Sequence, residues 1–207
     1  SFLVYGLGLS EKRLSRILGS RRTEVFIATK GGLSWTKSSF GRSDIVKDSS
    51  KQAIRRDVES SLKRLRLEAL PIFYVHWPDP STKIQDTFTE LMNLKNQGKI
   101  LSIGCSNFSS NQLKKACTVA RVDYLQAPLN IFDGPLDKSI ADICSVNKIK
   151  VIAYNVLLSG LLTGKFNEES SFQENDRRSR LPLFKGNTFK NALDRVEELK
   201  IEASKEN

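Results

Sequence analysis

Histidine and cysteine are scarce in this sequence: its 207 residues include one histidine and three cysteines. The cysteines, Cys105, Cys117 and Cys144, are odd in number and widely spaced. They indicate reduced, buried thiols rather than a disulfide framework, and they favour a cytoplasmic location. No stretch approaches the roughly 18 consecutive apolar residues of a membrane-spanning helix. We therefore expect no membrane partner, and we predict no metal site.

Acidic residues are outnumbered, with 23 Asp and Glu against 33 Lys and Arg and a formal net charge of +10. In segment 49–67 the basic residues alternate with Asp57 and Glu59, as on a solvated helix surface. The sequence carries no signature of an RNA- or DNA-binding module, so we predict no nucleic-acid partner. The positive excess is nevertheless favourable for anionic ligands, including a phosphorylated cofactor.

Apolar runs typical of buried strands alternate with segments of helical periodicity. The predicted strands, rich in Val, Ile, Leu, Phe and Tyr, are 25–30, 71–77, 100–105, 123–129 and 151–157. The predicted helices lie at about 10–19, 49–67, 84–97, 109–120, 135–147 and 188–204. This alternation predicts an α/β fold in which helices connect parallel strands.

Two architectures fit that pattern, an open doubly wound sheet and a closed (β/α)₈ TIM barrel. No G-x-G-x-x-G follows a first strand, so the Rossmann phosphate loop is absent. In a barrel the carboxyl ends of all strands converge on one face, where active sites lie. Polar and titratable residues recur at such ends here, which favours the barrel: Lys30, His76, Ser106, Asn107, Gln126 and Tyr154.

The five predicted strands are fewer than the eight of a complete barrel. We therefore expect residues 1–207 to form a single (β/α) barrel domain that is incomplete at both ends. Segments 32–48 and 163–187 are too long for simple connections. They are predicted to be active-site loops over the barrel mouth.

Three side chains together suggest a proton-delivery site. Tyr5 precedes a Gly-Leu-Gly turn, Lys30 ends one apolar run, and His76 ends another. A phenol pKa near 10 is high for an acid at neutral pH, and a neighbouring ammonium lowers it. Each residue also has a simpler explanation: a strand-end aromatic, a lysine paired with a carboxylate or forming a Schiff base, and a structural histidine.

Five segments, in this order, resemble the aldo-keto reductase family: VYGLGLSE (4–11), ATK (28–30), HWPDP (76–80), GCSNF (104–108) and AYN (153–155). The resemblance implies that Tyr5 is the general acid that protonates a carbonyl oxygen. It implies that Lys30 lowers the pKa of Tyr5, and that His76 hydrogen-bonds the substrate oxygen or relays the proton.

The same resemblance implies the cofactor NADP, as NADPH. Ser106, Asn107 and Gln126 would hold the nicotinamide carboxamide, and Tyr154 would stack on the nicotinamide face. The loop after Tyr154 would reach the pyrophosphate through Asn155, Leu157 and Ser159. Two residues of this loop depart from the family pattern, because Asn155 stands where Ser is frequent and Leu158 where Gly is common.

A small-molecule aldehyde or ketone is the implied substrate, and Trp35, Phe40 and Trp77 are candidates for an apolar wall beside it. The family pairs its lysine with an aspartate five residues before the tyrosine, a position that falls just before Ser1. We therefore expect the catalytic set to be incomplete in this sequence. The sequence does not determine the oligomeric state.

Two other functions stay open on the sequence alone. One is a nicotinamide-binding regulatory protein of the same fold, similar to the potassium-channel β subunits, with little or no turnover. The other is an aldolase that forms a Schiff base through Lys30.

Overall fold

Strands and helices alternate along the chain in the computed structural model, which describes residues 8–35, without the Trp35 side chain, and 45–205. In these ranges the strands are β1 (Ala28–Gly31), β2 (Leu33–Trp35), β3 (Ile45–Lys47), β4 (Ile72–Val75), β5 (Ile103–Ser106), β6 (Tyr124–Pro128) and β7 (Lys150–Tyr154). The α-helices are α1 (Leu9–Leu18), α2 (Lys51–Leu65), α3 (Ile84–Asn96), α4 (Ser110–Cys117), α5 (Lys138–Asn147) and α6 (Gly186–Lys205).

The main sheet has five strands in the order β1-β4-β5-β6-β7. The pairs β1–β4, β4–β5 and β5–β6 are all parallel, so their carboxyl ends lie at the same edge of the sheet. The register aligns Lys30 with Tyr74, Tyr74 with Gly104, and Gly104 with Tyr124. Each crossover between these strands contains a helix, as parallel pairing requires.

The chain divides into two compact units. The first runs to Ala127 and continues with Leu136–Ala153, and the second comprises Pro128–Pro135 and the chain from Tyr154 onward. In the first unit, the apolar stripe of α2 is buried against the sheet, with Ile54, Val58 and Leu65 each 0% exposed. Burying each such side chain contributes about 1.5–3 kcal/mol, so this unit has a substantial core.

Local sequence signals set where these helices begin. The Ser50 hydroxyl accepts a hydrogen bond from the Ala53 amide at the start of α2. At the start of α4, Ser109 and Gln112 form a reciprocal capping box. Such caps satisfy amides that have no partner within the helix and contribute about 1 kcal/mol each.

The second unit has its own, largely aromatic, core. Its buried residues are Leu158, Leu161, Phe184, Phe189, Ala192 and Val196. Phe166 and Phe172 pack edge-on against Phe184, with ring centroids 6.0 and 5.1 Å away. The Arg178 guanidinium lies 4.6 Å from the Phe172 ring centroid and pairs with Asp176. Aromatic contacts of this kind stabilise a small core beyond simple area burial.

One buried carboxylate joins three elements of the first unit. Glu11 of α1 is 0% exposed. It accepts hydrogen bonds from the Thr29 hydroxyl of β1 and the Ser61 hydroxyl of α2, and it forms an ion pair with Arg64 of α2. Because these partners surround the charge, Glu11 fixes α1 and α2 against β1.

The strand and helix predictions agree with this structure to within a few residues. The segment 32–48, expected to be a loop, contains the antiparallel pair β2–β3, in which Leu33 aligns with Lys47. These strands have three residues each, too short for an alternating pattern to indicate them. None of the helices in the described ranges combines the length and the apolar character that a bilayer crossing requires.

We predict that Glu11→Gln lowers the free energy of unfolding by about 2–4 kcal/mol. The substitution keeps an oxygen for Thr29 and Ser61 but leaves the partly buried Arg64 cation without its carboxylate. Glu59→Gln is a matched control, because Glu59 pairs with Lys99 while 43% of its side chain is exposed. Urea denaturation of the three proteins tests this, and equal losses in both variants would contradict it.

Candidate active site

Several of the expected site residues lie on one face of the sheet, near its carboxyl edge. Thr29 contacts Glu11 of α1, so Thr29 faces the helices and its neighbour Lys30 faces the opposite side. The register places Tyr74 and Gly104 at the level of Lys30. Ser106 follows Gly104 by two residues on β5, and Gln126 follows Tyr124 by two residues on β6. Ser106 and Gln126 are in register and lie on that same face. The strand ends therefore bring charged, hydroxyl and amide groups together.

The ring of Tyr74 lies directly on Gly104. A Cβ added at Gly104 would be 2.4 Å from Cδ1 of Tyr74, well inside van der Waals contact. Tyr74 is 1% exposed, and burial raises its pKa to about 12, with smaller contributions from Tyr124 and Cys105. Tyr74 is thus a neutral phenol. Its ring fits in this position only because residue 104 is a glycine and has no side chain.

The Lys30 ammonium lies 5.8 Å from the centroid of the Tyr74 ring, within the range of a cation–π contact. Burial lowers the pKa of Lys30. Burial also lowers the pKa of His76 to about 4, and the positive charge of Lys30 adds to that effect. His76 is therefore neutral at pH 7. The two groups are close enough to influence one another electrically.

Asn107 connects the ends of two strands. Its side-chain amide donates to the backbone carbonyl of His76 and to the Ser106 hydroxyl oxygen, both at 3.0 Å. Its backbone is left-handed, with φ 63°, a conformation that asparagine tolerates better than most residues. Asn107 thereby fixes Ser106, which is 2% exposed, beside the turn that carries His76.

Two aspartates support the loops around this site. Asp57 of α2 is 4% exposed and accepts a hydrogen bond from the Gly32 amide at 2.9 Å, just after Lys30. Burial raises the pKa of Asp57 to about 6, although the Gly32 amide and the charges of Arg56 and Arg64 oppose the rise.

Asp79, three residues after His76, accepts from the Ser49 amide at 3.1 Å and the Thr82 hydroxyl at 2.6 Å. Burial opposes ionisation of Asp79, but these hydrogen bonds outweigh it and hold its pKa below the ordinary value.

The expected tryptophans are not equally defined. Trp77 is 40% exposed, and the Lys47 ammonium lies 5.2 Å from its ring centroid. The backbone of Trp35 ends β2, but its side chain lies outside the described residues. Tyr5 and Phe40 also lie outside them. The roles predicted for Tyr5 and for the Trp35 side chain therefore stay predictions.

The residues predicted to contact the rest of the cofactor lie in the second unit. Tyr154 ends β7, and burial raises its pKa while Arg177 opposes the rise. The backbone is left-handed at Asn155 (φ 57°), Leu158 (φ 47°) and Ser159 (φ 57°), so this loop turns tightly. Leu158 thus stands at a position that favours glycine, and its side chain is kept there by burial in the aromatic core.

Sequence reasoning assigned no role to Tyr74, Gly104, Asp57 or Asp79, although Gly104 and Asp79 lie in segments that carry the family resemblance. Asp79 had a recognisable signal, because Asp-Pro-Ser-Thr is typical of a turn in which the carboxylate binds following backbone amides. The Tyr74–Gly104 contact joins two strands, and the bond from Asp57 ends on a backbone amide. A single sequence gives no signal for either contact.

The comparisons with known proteins identify the family and the fold. The model of the aldo/keto reductase family matches residues 3–206. The chain is 35% identical over 198 residues to the aldo-keto reductase YhdN of Bacillus subtilis, covering 95% of this chain and 58% of YhdN. It is 31% identical over 169 residues to the NADH-specific methylglyoxal reductase of Escherichia coli, covering 77% of this chain and 52% of that protein.

Among solved structures, the glycerol dehydrogenase AKR11B4 of Gluconobacter oxydans superposes with a TM-score of 0.91 at 36% identity, covering 100% of this chain and 63% of that one. The chain belongs to the aldo/keto reductase family. Its parallel strands are part of a TIM barrel, which confirms the predicted fold class. The chain spans between about half and two thirds of the length of these relatives.

We predict that Gly104→Ala destabilises the protein by about 1–3 kcal/mol, because the new methyl group forces the buried Tyr74 ring to move. The loss should shrink when Tyr74→Val provides space for the methyl group. A double-mutant cycle measured by urea denaturation tests this coupling. If Gly104→Ala costs the same in both backgrounds, the ring contact is not its cause.

We predict a pH-dependent difference in stability between this protein and its Asp57→Asn variant. The pKa of Asp57 is raised from 3.8 to about 6 in the folded state, so the folded state binds more protons between those values. The stabilising contribution of Asp57 to the free energy of unfolding is therefore largest at about pH 4 and below, and it is lost as the pH rises through about 6.

The asparagine of the Asp57→Asn variant would keep an oxygen for the Gly32 amide and lacks the titration. The difference in unfolding free energy between the two proteins, measured from about pH 4 to pH 7, should change by about 3 kcal/mol at most in favour of the variant. A difference that is constant over this range would contradict the burial of a titrating carboxyl group.

Proposed function

We propose that this chain is part of an NADPH-dependent reductase that converts an aldehyde or ketone to the alcohol, with Tyr5 as the general acid. The observation that carries the proposal is the placement of Lys30 and His76 at neighbouring strand ends, close enough for the charge of Lys30 to lower the pKa of His76. Asn107 links the backbone of His76 to the Ser106 hydroxyl, and Ser106 is in register with Gln126 of the next strand. Family membership supports the reaction type.

The residues at the strand ends fit a nicotinamide carboxamide. That group has two N–H donors and one carbonyl acceptor, which amide and hydroxyl side chains match. Asn107 already donates to Ser106, so the Ser106 oxygen is oriented and its hydrogen stays available as a donor. In this proposal Ser106, Asn107 and Gln126 hold the carboxamide, as the resemblance implies.

Bound NADPH supplies a hydride to the carbonyl carbon of the substrate, and the protein must supply the proton. His76 is neutral at pH 7, since its pKa is lowered to about 4. It is therefore suited to donate a hydrogen bond to the carbonyl oxygen rather than to act as a charged acid. The remaining acid is the Tyr5 phenol, whose pKa the Lys30 ammonium would lower.

Asn155, Leu157 and Ser159 are proposed to contact the pyrophosphate, and Tyr154 to stack on the nicotinamide. The tight left-handed loop at 155–160 supports this role, because successive turns of this kind present backbone amides to anions. The net charge of +10 favours NADPH over NADH. One similar protein is named NADH-specific, so the two cofactors must be compared directly.

A small aldehyde or ketone is the proposed substrate class. Trp77, exposed on one side, is proposed to form an apolar wall of the pocket together with Trp35. Methylglyoxal is the first substrate to test, because a similar protein is named for its reduction. A reactive aromatic aldehyde is the second, since it tests the apolar wall.

We predict that the purified chain oxidises NADPH with one of these aldehydes, and that Tyr5→Phe lowers kcat at least about 100-fold, the usual contribution of a general acid. Tyr124→Phe is the matched control. It removes a phenol that lies on the same sheet but to which the proposal assigns no proton transfer, and it should keep activity. The absorbance of NADPH gives the rates, and intrinsic fluorescence gives the affinities for NADPH and NADH.

Turnover that survives Tyr5→Phe would remove Tyr5 from the acid role. Binding of NADPH without turnover in the unsubstituted chain would contradict the enzymatic proposal and favour the regulatory function. Absence of nicotinamide binding, together with borohydride trapping of substrate on Lys30, would favour an aldolase.

A further inference from the structure

A second concave site in the first unit is lined almost entirely by cations. It has a volume of about 610 Å³ and lies where α1 and α2 end. Six of its eight lining residues are basic, and the other two are Ser15 and Gly19; the basic ones are Lys12, Arg16, Arg22, Lys63, Arg64 and Arg66. Clefts lined by one sign of charge concentrate counter-ions more strongly than an open surface does.

The positive charge in this cavity is only partly compensated by carboxylates. Lys63 acts on Glu59, whose pKa is lowered mainly by Lys99 and in smaller part by Arg55 and Lys63. Arg64 pairs with the buried Glu11. Among the ion pairs of the described residues, none involves the other five cations of the cavity. Positive side chains in the last turn of a helix gain about 0.3–1 kcal/mol from the helix dipole, which accounts for Arg16 and Lys63. The helix dipole does not explain the presence of Lys12, because this residue lies in the first half of α1.

Two guanidinium groups in the cavity are already fixed in place. Arg22 donates to the carbonyl oxygens of Gly19 and Arg66, the latter at 2.9 Å. Arg64 is fixed by Glu11, and its side chain is 16% exposed. A ligand that binds here therefore does not bear the entropy cost of ordering these two long side chains. Fixed guanidinium groups are also suited to bidentate contacts with phosphate oxygens.

We propose that this cavity binds a compact anion with at least two phosphate groups. The volume exceeds that of a single phosphate and falls in the range of small-molecule sites. The five cations that pair with no carboxylate of the described residues call for a ligand with several negative charges. Free polyphosphates and phosphorylated lipid headgroups share this chemistry.

The cavity lies away from the candidate active site. Helices of β/α units run antiparallel to their strands, so the ends of α1 and α2 lie at the opposite edge of the sheet from Lys30 and His76. The site is therefore separate from the residues proposed to hold the nicotinamide, and its test does not depend on turnover.

The experiment is isothermal titration of the full chain with inorganic tripolyphosphate, and with citrate as a carboxylate of similar size. The site variant combines Lys12→Gln, Arg16→Gln and Lys63→Gln. The control variant combines Lys83→Gln, Lys114→Gln and Lys115→Gln, which removes the same charge from positions elsewhere. Flotation with phosphatidylcholine vesicles, with and without phosphatidylinositol bisphosphate, tests the lipid source. Thermal unfolding of each variant checks that it folds.

We expect tripolyphosphate to bind more tightly than citrate and to raise the Tm. Its affinity should fall at least about tenfold in the site variant and stay near the original value in the control, because charge-assisted hydrogen bonds are lost only in the former. Vesicle binding that requires the phosphoinositide and is lost only in the site variant would also support the site, with a headgroup as its source. Equal losses in both variants, equal affinity for citrate and tripolyphosphate, or no binding of tripolyphosphate, citrate or the phosphoinositide vesicles would overturn the proposal.

Discussion

The buried carboxylate of Glu11 is the interaction on which both candidate sites in the first unit depend. It contacts Thr29, the residue before Lys30, and it pairs with Arg64, which lines the basic cavity. A carboxylate that is 0% exposed is tolerated only because hydroxyl and guanidinium donors surround it. This requirement fixes the orientation of α1 and α2 against β1. It therefore determines where Lys30 lies at one edge and where the cations lie at the other.

Close packing around Tyr74 sets the electrostatics at the carboxyl edge. The ring occupies the space that Gly104 leaves open, and burial disfavours its ionisation. Burial lowers the pKa values of Lys30 and His76 and raises that of Tyr74. On the side of the sheet that faces the helices, burial of Asp57 raises the pKa of that carboxyl group as well. Low polarity thus keeps the histidine neutral and makes the lysine charge effective over a longer distance. The carboxyl edge therefore combines polar side chains with partial burial.

The sequence predicted the order of strands and helices well, because apolar periodicity is a local property. The end positions of Lys30, His76, Ser106 and Gln126 followed from the same pattern, since parallel strands share one carboxyl edge. The contact of Tyr74 with Gly104 and the bond from Asp57 to Gly32 depend on neighbours about 30 and 25 residues away in the chain. The composition showed a positive excess but not that six cations converge on one cavity, because that depends on how α1 and α2 pack.

Helix α2 makes contacts at both edges of the sheet. At the carboxyl edge, Asp57 of α2 accepts from the Gly32 amide, so the position of α2 affects the loop after Lys30 directly. At the other edge, α2 contributes Lys63 and Arg64 to the cavity. Neutralising that cavity would relieve repulsion at the end of the helix whose other contacts support Lys30. An anion that binds the folded chain at the basic cavity, as proposed, would stabilise the folded state as a whole, including α2 and its bond to the Gly32 amide.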